Sequence, residues 1–375
     1  MSARFLTVVL ERAFNMRDGF GREIDYMRIS VIDSCNLNCY YCNPCDNNEH
    51  CHALNILSVK EVLCIVRAAT RLGIKHFRLT GGEPLLHPQL DEMVLQIKKI
   101  PGVSSVSLTT NAVLLAQHAK WLKEAGIDSI NVSLDTIDAS EYERITKKPL
   151  LEEVKHGINA AIECGIRVKI NVVLTPQTDV VALTRYVAKK GTDIRFIEMM
   201  PVGEGHTNGV EPYKKVIGTL SKLYGEPCRI NTEKTKEINS GNDKRKIPDN
   251  GPAEYYIFPE LGIRVGLIQA IHGKFCATCN RIRVTADGRL MPCLGSSVTM
   301  DLVPDSWDFA DDVEKDFAIV RALRAAIKAK PRCHNFNDNA VTYTKTTETK
   351  TTEIKTTELK AAEVNAARNM SRIGG

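Results

Sequence analysis

Short β-rich runs alternate with longer amphipathic stretches from about residue 26 to residue 200, the pattern of repeated βα units around a parallel sheet. Six strands are predicted, over Tyr26–Ile32, Lys75–Thr80, Val103–Thr109, Ser129–Leu134, Arg167–Val173 and Asp193–Ile197, with helices between them. One helix, Ser58–Leu72, opens on a serine suited to cap it and stops at Gly73. Parallel strands covered on both faces read as nearly continuous apolar runs, yet here one parity is persistently polar. Arg28 and Ser30, Arg78 and Thr80, Ser107, Thr109 and Asn111, Asn131, Ser133 and Asp135, Lys169 and Asn171, and Arg195 alternate with Ile29, Val31, Phe77, Leu79, Val106, Leu108, Val132, Leu134, Ile170, Val172, Ile194 and Phe196. If the apolar set packs on the helices, the polar set lines the opposite face, and the sheet curls around a ligand cavity. A sheet with one solvated face is the plainer alternative. Repeated βα units favour barrel-like closure.

After Pro201 this rhythm fades into a stretch rich in turns and charges, including Lys244, Arg245 and Lys246. The expected fold is α/β: an open partial TIM barrel of about six βα units over residues 1–200, then an α+β extension over 201–335. Residues 345–364 read KTTET, KTTEI, KTTEL, KAAEV. A helix turns about 100° per residue, so a five-residue repeat carries its apolar position around the helix and builds no buried face. We read residues 336–369 as a low-complexity linker and 370–375, MSRIGG, as a separate tail.

Composition narrows the class. The chain has 375 residues, 43% hydrophobic and 25% charged, values of an ordinary globular protein. Its formal charge of +5 is too small to point to nucleic acid or membrane as a partner, so any important positive charge is local. No apolar stretch has the length of a membrane span, and the run Phe5–Leu10 lacks the pattern of a signal peptide, so a cytoplasmic protein is expected. Twelve cysteines in such a chain read as metal or redox ligands more readily than as disulfides.

Cys35, Cys39 and Cys42 form CxxxCxxC directly after the first strand, where barrel active-site loops belong. Structural zinc usually takes four protein ligands, whereas three cysteines satisfy three irons of a cubane cluster and leave the fourth open. Cys45, His50, Cys51 and His52 lie close enough to compete as a fourth ligand, so zinc is not excluded by spacing. A second trio, Cys276, Cys279 and Cys293, again offers three ligands and encloses Arg281 and Arg283, candidate anion donors or members of an ordinary surface strand. Cys64 and Cys164 fall in helical stretches and read as small core hydrophobes; Cys228 and Cys333 have no evident partner.

CxxxCxxC after a first barrel strand resembles the radical S-adenosylmethionine (SAM) superfamily. The ordered set FGREIDYMRISVIDSCNLNCYYCNP (20–44), FRLTGGEPLL (77–86), SLTTNAVLL (107–115), NVSLDT (131–136), VKINVVL (168–174), RFIEMMPVG (195–203), FCATCNRIRVTADGRLMPCL (275–294) and terminal MSRIGG resembles the GTP 3′,8-cyclase family. The resemblance implies two 4Fe-4S clusters, one on each trio, with SAM bound at the open iron of the first. It implies SAM contacts at Tyr41, Gly82, Ser133 and Met200, and a Gly81-Gly82 pair that lets backbone approach the ligand. GTP contacts are implied at Arg28, Arg78, Thr109, Lys169, Arg195, Arg281 and Arg283, several already marked by strand parity. The 5′-deoxyadenosyl radical is expected to take the ribose 3′ hydrogen of GTP, after which C3′ attacks guanine C8 beside the second cluster. Gly374 and Gly375 match a terminal pair that assists turnover; the repeat before them looks inserted, and a linker of about 25 residues spans roughly 25–30 Å. Implied partners are GTP, an electron donor such as flavodoxin or ferredoxin, and a downstream cyclic pyranopterin monophosphate synthase, with the chain a monomer or homodimer. Two departures stand out: His76 where the family commonly has Lys, and Ala112 where it usually has glycine. A peptide-modifying radical SAM enzyme and a zinc protein binding nucleic acid are the alternatives.

Overall fold

Each of the six predicted runs is a strand in the computed structural model, which describes residues 16–42, 55–202, 205, 210–230, 251–296, 298–302 and 312–336. They are β1 (Tyr26–Ser30), β2 (His76–Thr80), β3 (Ser105–Thr110), β4 (Ser129–Ser133), β5 (Val168–Leu174) and β6 (Asp193–Glu198). Beyond them lie β7 (Cys228–Ile230), β8 (Glu254–Ile257), β9 (Arg264–Ile268), β10 (Arg281–Val284), β11 (Arg289–Met291) and β12 (Met300–Asp301). All twelve join one sheet in the order β12-β11-β10-β1-β2-β3-β4-β5-β6-β9-β8-β7, whose two ends do not meet. The barrel is therefore open.

The parallel run is longer than six strands. β10 pairs in parallel with β1, and β9 pairs in parallel with β6, so segments from the C-terminal region extend the barrel on both edges. Antiparallel β7 and β8 then finish one edge and β11 and β12 the other.

Helices Val59–Arg71, Leu90–Lys98, Leu115–Glu124, Leu151–Glu163 and Val180–Lys189 cover the outer face. All twelve apolar-parity residues, from Ile29 to Phe196, are buried in the core shared with these helices. Each such side chain stabilises the fold by roughly 1.5–3 kcal/mol relative to an exposed one. The first helix starts as its sequence requires: Ser58 and Glu61 form a reciprocal capping box, and Gly73 takes φ +85° just past the helix. Cys64 is buried in that helix and Cys164 packs against the core, as small hydrophobes. No helix among the described residues is long and apolar enough to cross a membrane.

Ala112 follows β3 with φ 66°, a left-handed conformation that a side chain resists by roughly 1–2 kcal/mol. The backbone is held there from both sides, its N–H donating to Thr110 Oγ1 at 3.0 Å and its carbonyl accepting from Leu115 at 3.1 Å. Ala112→Gly removes the strain and adds only roughly 0.5–1 kcal/mol of backbone entropy cost. The variant is expected to unfold at higher temperature, with a gain of up to about 1 kcal/mol; an unchanged or lower thermal midpoint contradicts this.

Lys244 to Lys246, Cys45, His50, Cys51, His52, the repeat at 345–364 and the tail with Gly374 and Gly375 lie outside the described residues.

Candidate active site

The polar parity faces inward and lines two cavities of about 420 and 280 Å³ that share Arg28, Thr109, Asn171, Ile197, Pro252, Ile268 and Arg281 as common wall. The larger reaches the N-terminal ends of the strands, at Tyr26, His76, Ser105 and Ser129; the smaller reaches their C-terminal ends, at Thr80, Thr110, Ser133 and Val173. Of the polar-parity residues only Ser30 is in neither wall: it is fully buried.

The larger cavity is strongly basic. Arg28, Arg78, Lys169, Arg195 and Arg281 line it, and Arg283 joins the wall of the smaller one. Strand register sets the charges side by side, for Arg28 of β1 stands opposite Arg78 of β2 and opposite Arg283 of β10. Burial, then the neighbouring Arg283 and Arg78 charges, holds the Arg28 guanidinium well below its usual range. Burial and Arg281 likewise bring Arg283 down to about 10.

Most of these side chains are already held in place. Arg78 donates to the Tyr26 hydroxyl and to Thr109 Oγ1 at 3.3 Å. Arg195 Nε donates to Asn171 at 3.0 Å. Lys169 lies 5.8 Å from the centre of the Tyr255 ring, and Arg281 5.0 Å from that of Phe275. Gly266, opposite Arg195, leaves the necessary space, since a Cβ there would sit 2.8 Å from Arg195 Cγ and 2.9 Å from Tyr255. His76 hydrogen-bonds Ser105 at 2.8 Å, and burial lowers its pKa, so it adds no charge to the wall at neutral pH.

Both cysteine trios line the smaller cavity. The loop bearing Cys35, Cys39 and Cys42 is fastened by backbone bonds, Asn38 and Tyr40 donating to the carbonyls of Thr146 and Ile145. Asn111 donates to Asn36 at 2.7 Å and reaches Cys35 Sγ at 3.8 Å. The glycine pair also serves the protein's own packing. A Cβ on Gly81 would sit 2.3 Å from the Ile32 carbonyl oxygen, and one on Gly82 would sit 2.0 Å from that of Ser34. The close approach is thus to the protein's own backbone leading into Cys35, although Gly82 also lines the cavity.

Glu83 ties the same corner together, accepting from Leu85 N–H, Thr110 Oγ1 and Asn111 N–H at 3.0, 2.6 and 2.7 Å. Burial nevertheless pushes its pKa up to about 7. Tyr41 donates to Asp135 at 2.5 Å, and Ser133 and Met200 complete this side of the wall.

Burial and the neighbouring thiols and Asp135 push Cys39 well up and Cys42 to about 12. Such crowded thiols are poor thiolates alone and suit the cationic iron–sulfide core of a cluster, which deprotonates them on binding. At the second trio, burial acts to raise Cys279, but Arg281 and Lys330 outweigh it and bring the thiol to about 7. Among the described residues no three His, Cys, Asp or Glu side chains converge to hold one ion; three thiols that each take a different iron of a cluster need not converge.

Several cavity-lining residues escaped the sequence reading, among them Tyr26, Arg167, Lys330 and His334. Tyr26 and Arg167 stand on the same parities as Arg28 and Lys169 and extend them toward the N-terminal ends of the strands. Lys330 and His334 follow the helix Asp312–Lys328 and carry no local signal.

The sequence matches the radical SAM superfamily over residues 29–182 and Molybdenum Cofactor Synthesis C over residues 192–336. It is 35% identical to a GTP 3′,8-cyclase of Clostridium perfringens over 324 residues, 86% of this chain and 95% of that protein. It is 37% identical to the GTP 3′,8-cyclase of Peptoclostridium acidaminophilum over 328 residues, 86% of this chain and 94% of that one. Among solved structures it is similar in fold to Streptococcus suis SuiB bound to S-adenosylmethionine, with TM-score 0.52 and 15% identity over 82% of this chain and 68% of that one. Identity at this level over nearly the whole length of the two cyclases places the chain in the GTP 3′,8-cyclase family of the radical SAM superfamily.

Proposed function

We propose that this chain is a radical SAM GTP 3′,8-cyclase of molybdenum cofactor biosynthesis, forming (8S)-3′,8-cyclo-7,8-dihydroguanosine 5′-triphosphate. The observation that carries this reading is the joining of a basic cavity to one walled by two cysteine trios. Cys35, Cys39 and Cys42 would hold one 4Fe-4S cluster and Cys276, Cys279 and Cys293 another, each leaving an iron without a protein thiol. When bound, the first cluster and SAM would supply the one-electron radical chemistry that removes the 3′ hydrogen of GTP.

The protein's part is positioning and shielding. Tyr41, Gly82, Ser133 and Met200 form the wall on which SAM would lie, beside the first trio. Arg28, Arg78, Lys169, Arg195, Arg281 and Arg283 meet the roughly four negative charges of a triphosphate, with Thr109 as a further donor. Because several are stacked or hydrogen-bonded in advance, little side-chain entropy is lost on binding. The triphosphate then belongs among the N-terminal strand ends and the base beside the second trio, an arrangement that brings C3′ and C8 to the centre of the lumen. Protein walls around this lumen limit water's access to the reacting atoms. A flavodoxin- or ferredoxin-type donor, transfer of the product to a cyclic pyranopterin monophosphate synthase, a cytoplasmic location and a turnover role for Gly374 and Gly375 belong to the same reading.

Anaerobic incubation with SAM, GTP and a one-electron reductant is expected to give 5′-deoxyadenosine and the cyclic nucleotide together, dependent on GTP. Deoxyadenosine formed at the same rate without GTP, and no cyclic nucleotide, contradict the reading. Gly82→Ala tests the support of the first trio. With a Cβ 2.0 Å from a backbone oxygen the segment before Cys35 must move, so iron is expected to fall from about eight to about four per chain. Full iron content in that variant contradicts the proposed support.

A further inference from the structure

The second trio spans a short stretch of sequence, and two buried cations far from it in sequence hold its backbone. Lys330 is 3% exposed, and its ammonium donates to the carbonyls of Arg281 and Pro292, each at 2.8 Å. Arg281 lies two residues after Cys279 and Pro292 one before Cys293, so a single side chain bridges both arms of the trio. Arg22 donates to the Cys276 carbonyl at 2.7 Å and to the carbonyls of Pro331 and Arg332 at 2.6 and 3.1 Å, which fixes the segment that carries Lys330.

The two cations differ in compensation. Arg22 is paired with buried Asp18 at 2.5 Å. Among the described residues no carboxylate pairs with Lys330; its nearby acidic groups are the thiols of Cys279 and Cys293. A buried ammonium without a counter-ion is costly, and an adjacent anion removes that cost. A 4Fe-4S cluster on three thiolates is such an anion, with one further negative charge when reduced.

Resting on the reading of Cys276, Cys279 and Cys293 as cluster ligands, we infer that Lys330 is a positioning residue of the second cluster, whose ammonium joins its two ligand arms and supplies its countercharge. Taking away that charge makes addition of an electron harder and moves the midpoint of the second cluster to more negative potential. The first trio lies across the cavity and keeps its own surroundings.

The test is an EPR-monitored redox titration, with iron analysis, of the full reconstituted chain and of Lys330→Met and Lys330→Arg. For Lys330→Met the expected result is about eight irons per chain and a ratio of reduced to oxidised second cluster about tenfold lower at a fixed potential, a shift of about 59 mV for one electron. Lys330→Arg is expected to restore the wild-type midpoint. A wild-type midpoint in Lys330→Met overturns the inference. If Lys330→Met holds only about four irons, Lys330→Arg decides: full loading with a wild-type midpoint supports the countercharge, and loss of the same irons overturns it. Wild-type protein with only about four irons defeats instead the assignment of the second trio, which separates the two failures.

Discussion

Arg28→Met is expected to weaken GTP binding by roughly 100-fold, about 3 kcal/mol, while raising the thermal midpoint of the nucleotide-free, cluster-loaded protein. Arg28 is at the centre of a row of guanidinium groups, with Arg78 and Arg283 directly opposite on the two flanking strands. Neighbouring strands are about 4.8 Å apart, and like charges directly opposite each other destabilise a sheet. Burial and these two charges already press the Arg28 guanidinium toward its neutral form. A triphosphate offsets this crowding of like charge, and methionine removes both the crowding and the means of binding. Affinity is read by anaerobic equilibrium dialysis, and the thermal midpoint is read with and without GTP. In wild type GTP raises the midpoint; in Arg28→Met the starting value is higher, by roughly 1–2 kcal/mol of stability, and GTP adds little. GTP affinity within threefold of wild type contradicts the assignment of this row to the triphosphate.

Cys279→Ala is expected to separate the two halves of the reaction. The first trio and its supports, Asn111, Glu83 and the Gly81-Gly82 corner, belong to the loops after β1, β2 and β3, apart from Cys279. The variant is expected to keep about four irons per chain and to go on cleaving SAM, while cyclic nucleotide formation falls by roughly 10³-fold or more, because orientation at the reacting carbon is lost. Deoxyadenosine and the cyclic product are quantified in one reaction, so the uncoupling appears as their ratio. Cyclic product formed at the wild-type rate contradicts a role for the second trio in holding the base.

Strand alternation makes much of this site legible in the sequence. Arg28, Arg78, Thr109, Lys169 and Arg195 share a parity because a strand's side-chain period is two, and an inward face with that many polar groups needs a cavity. Tyr26 and Arg167 obey the same parity and were legible by the same rule, one step further along each strand. Other features depend on contacts between distant parts of the chain. That Arg283 stands beside Arg28 follows from β10 pairing with β1, across more than 250 residues of sequence. The glycine pair was visible, but its neighbour was not, since only the folded loop reveals the Ser34 carbonyl against Gly82. Lys330 and Arg22 act on backbone carbonyls, which carry no sequence signature at all. Ala112 shows the converse, a substitution whose strain follows from a backbone angle that the residue's identity does not disclose.

Hydrogen abstraction from the ribose is read by transfer of isotope from substrate to cofactor. With GTP deuterated at C3′, anaerobic turnover with SAM and reductant is expected to place deuterium in the 5′-deoxyadenosine, in step with formation of the cyclic nucleotide. Deoxyadenosine without deuterium, formed from fully labelled GTP, would contradict the account.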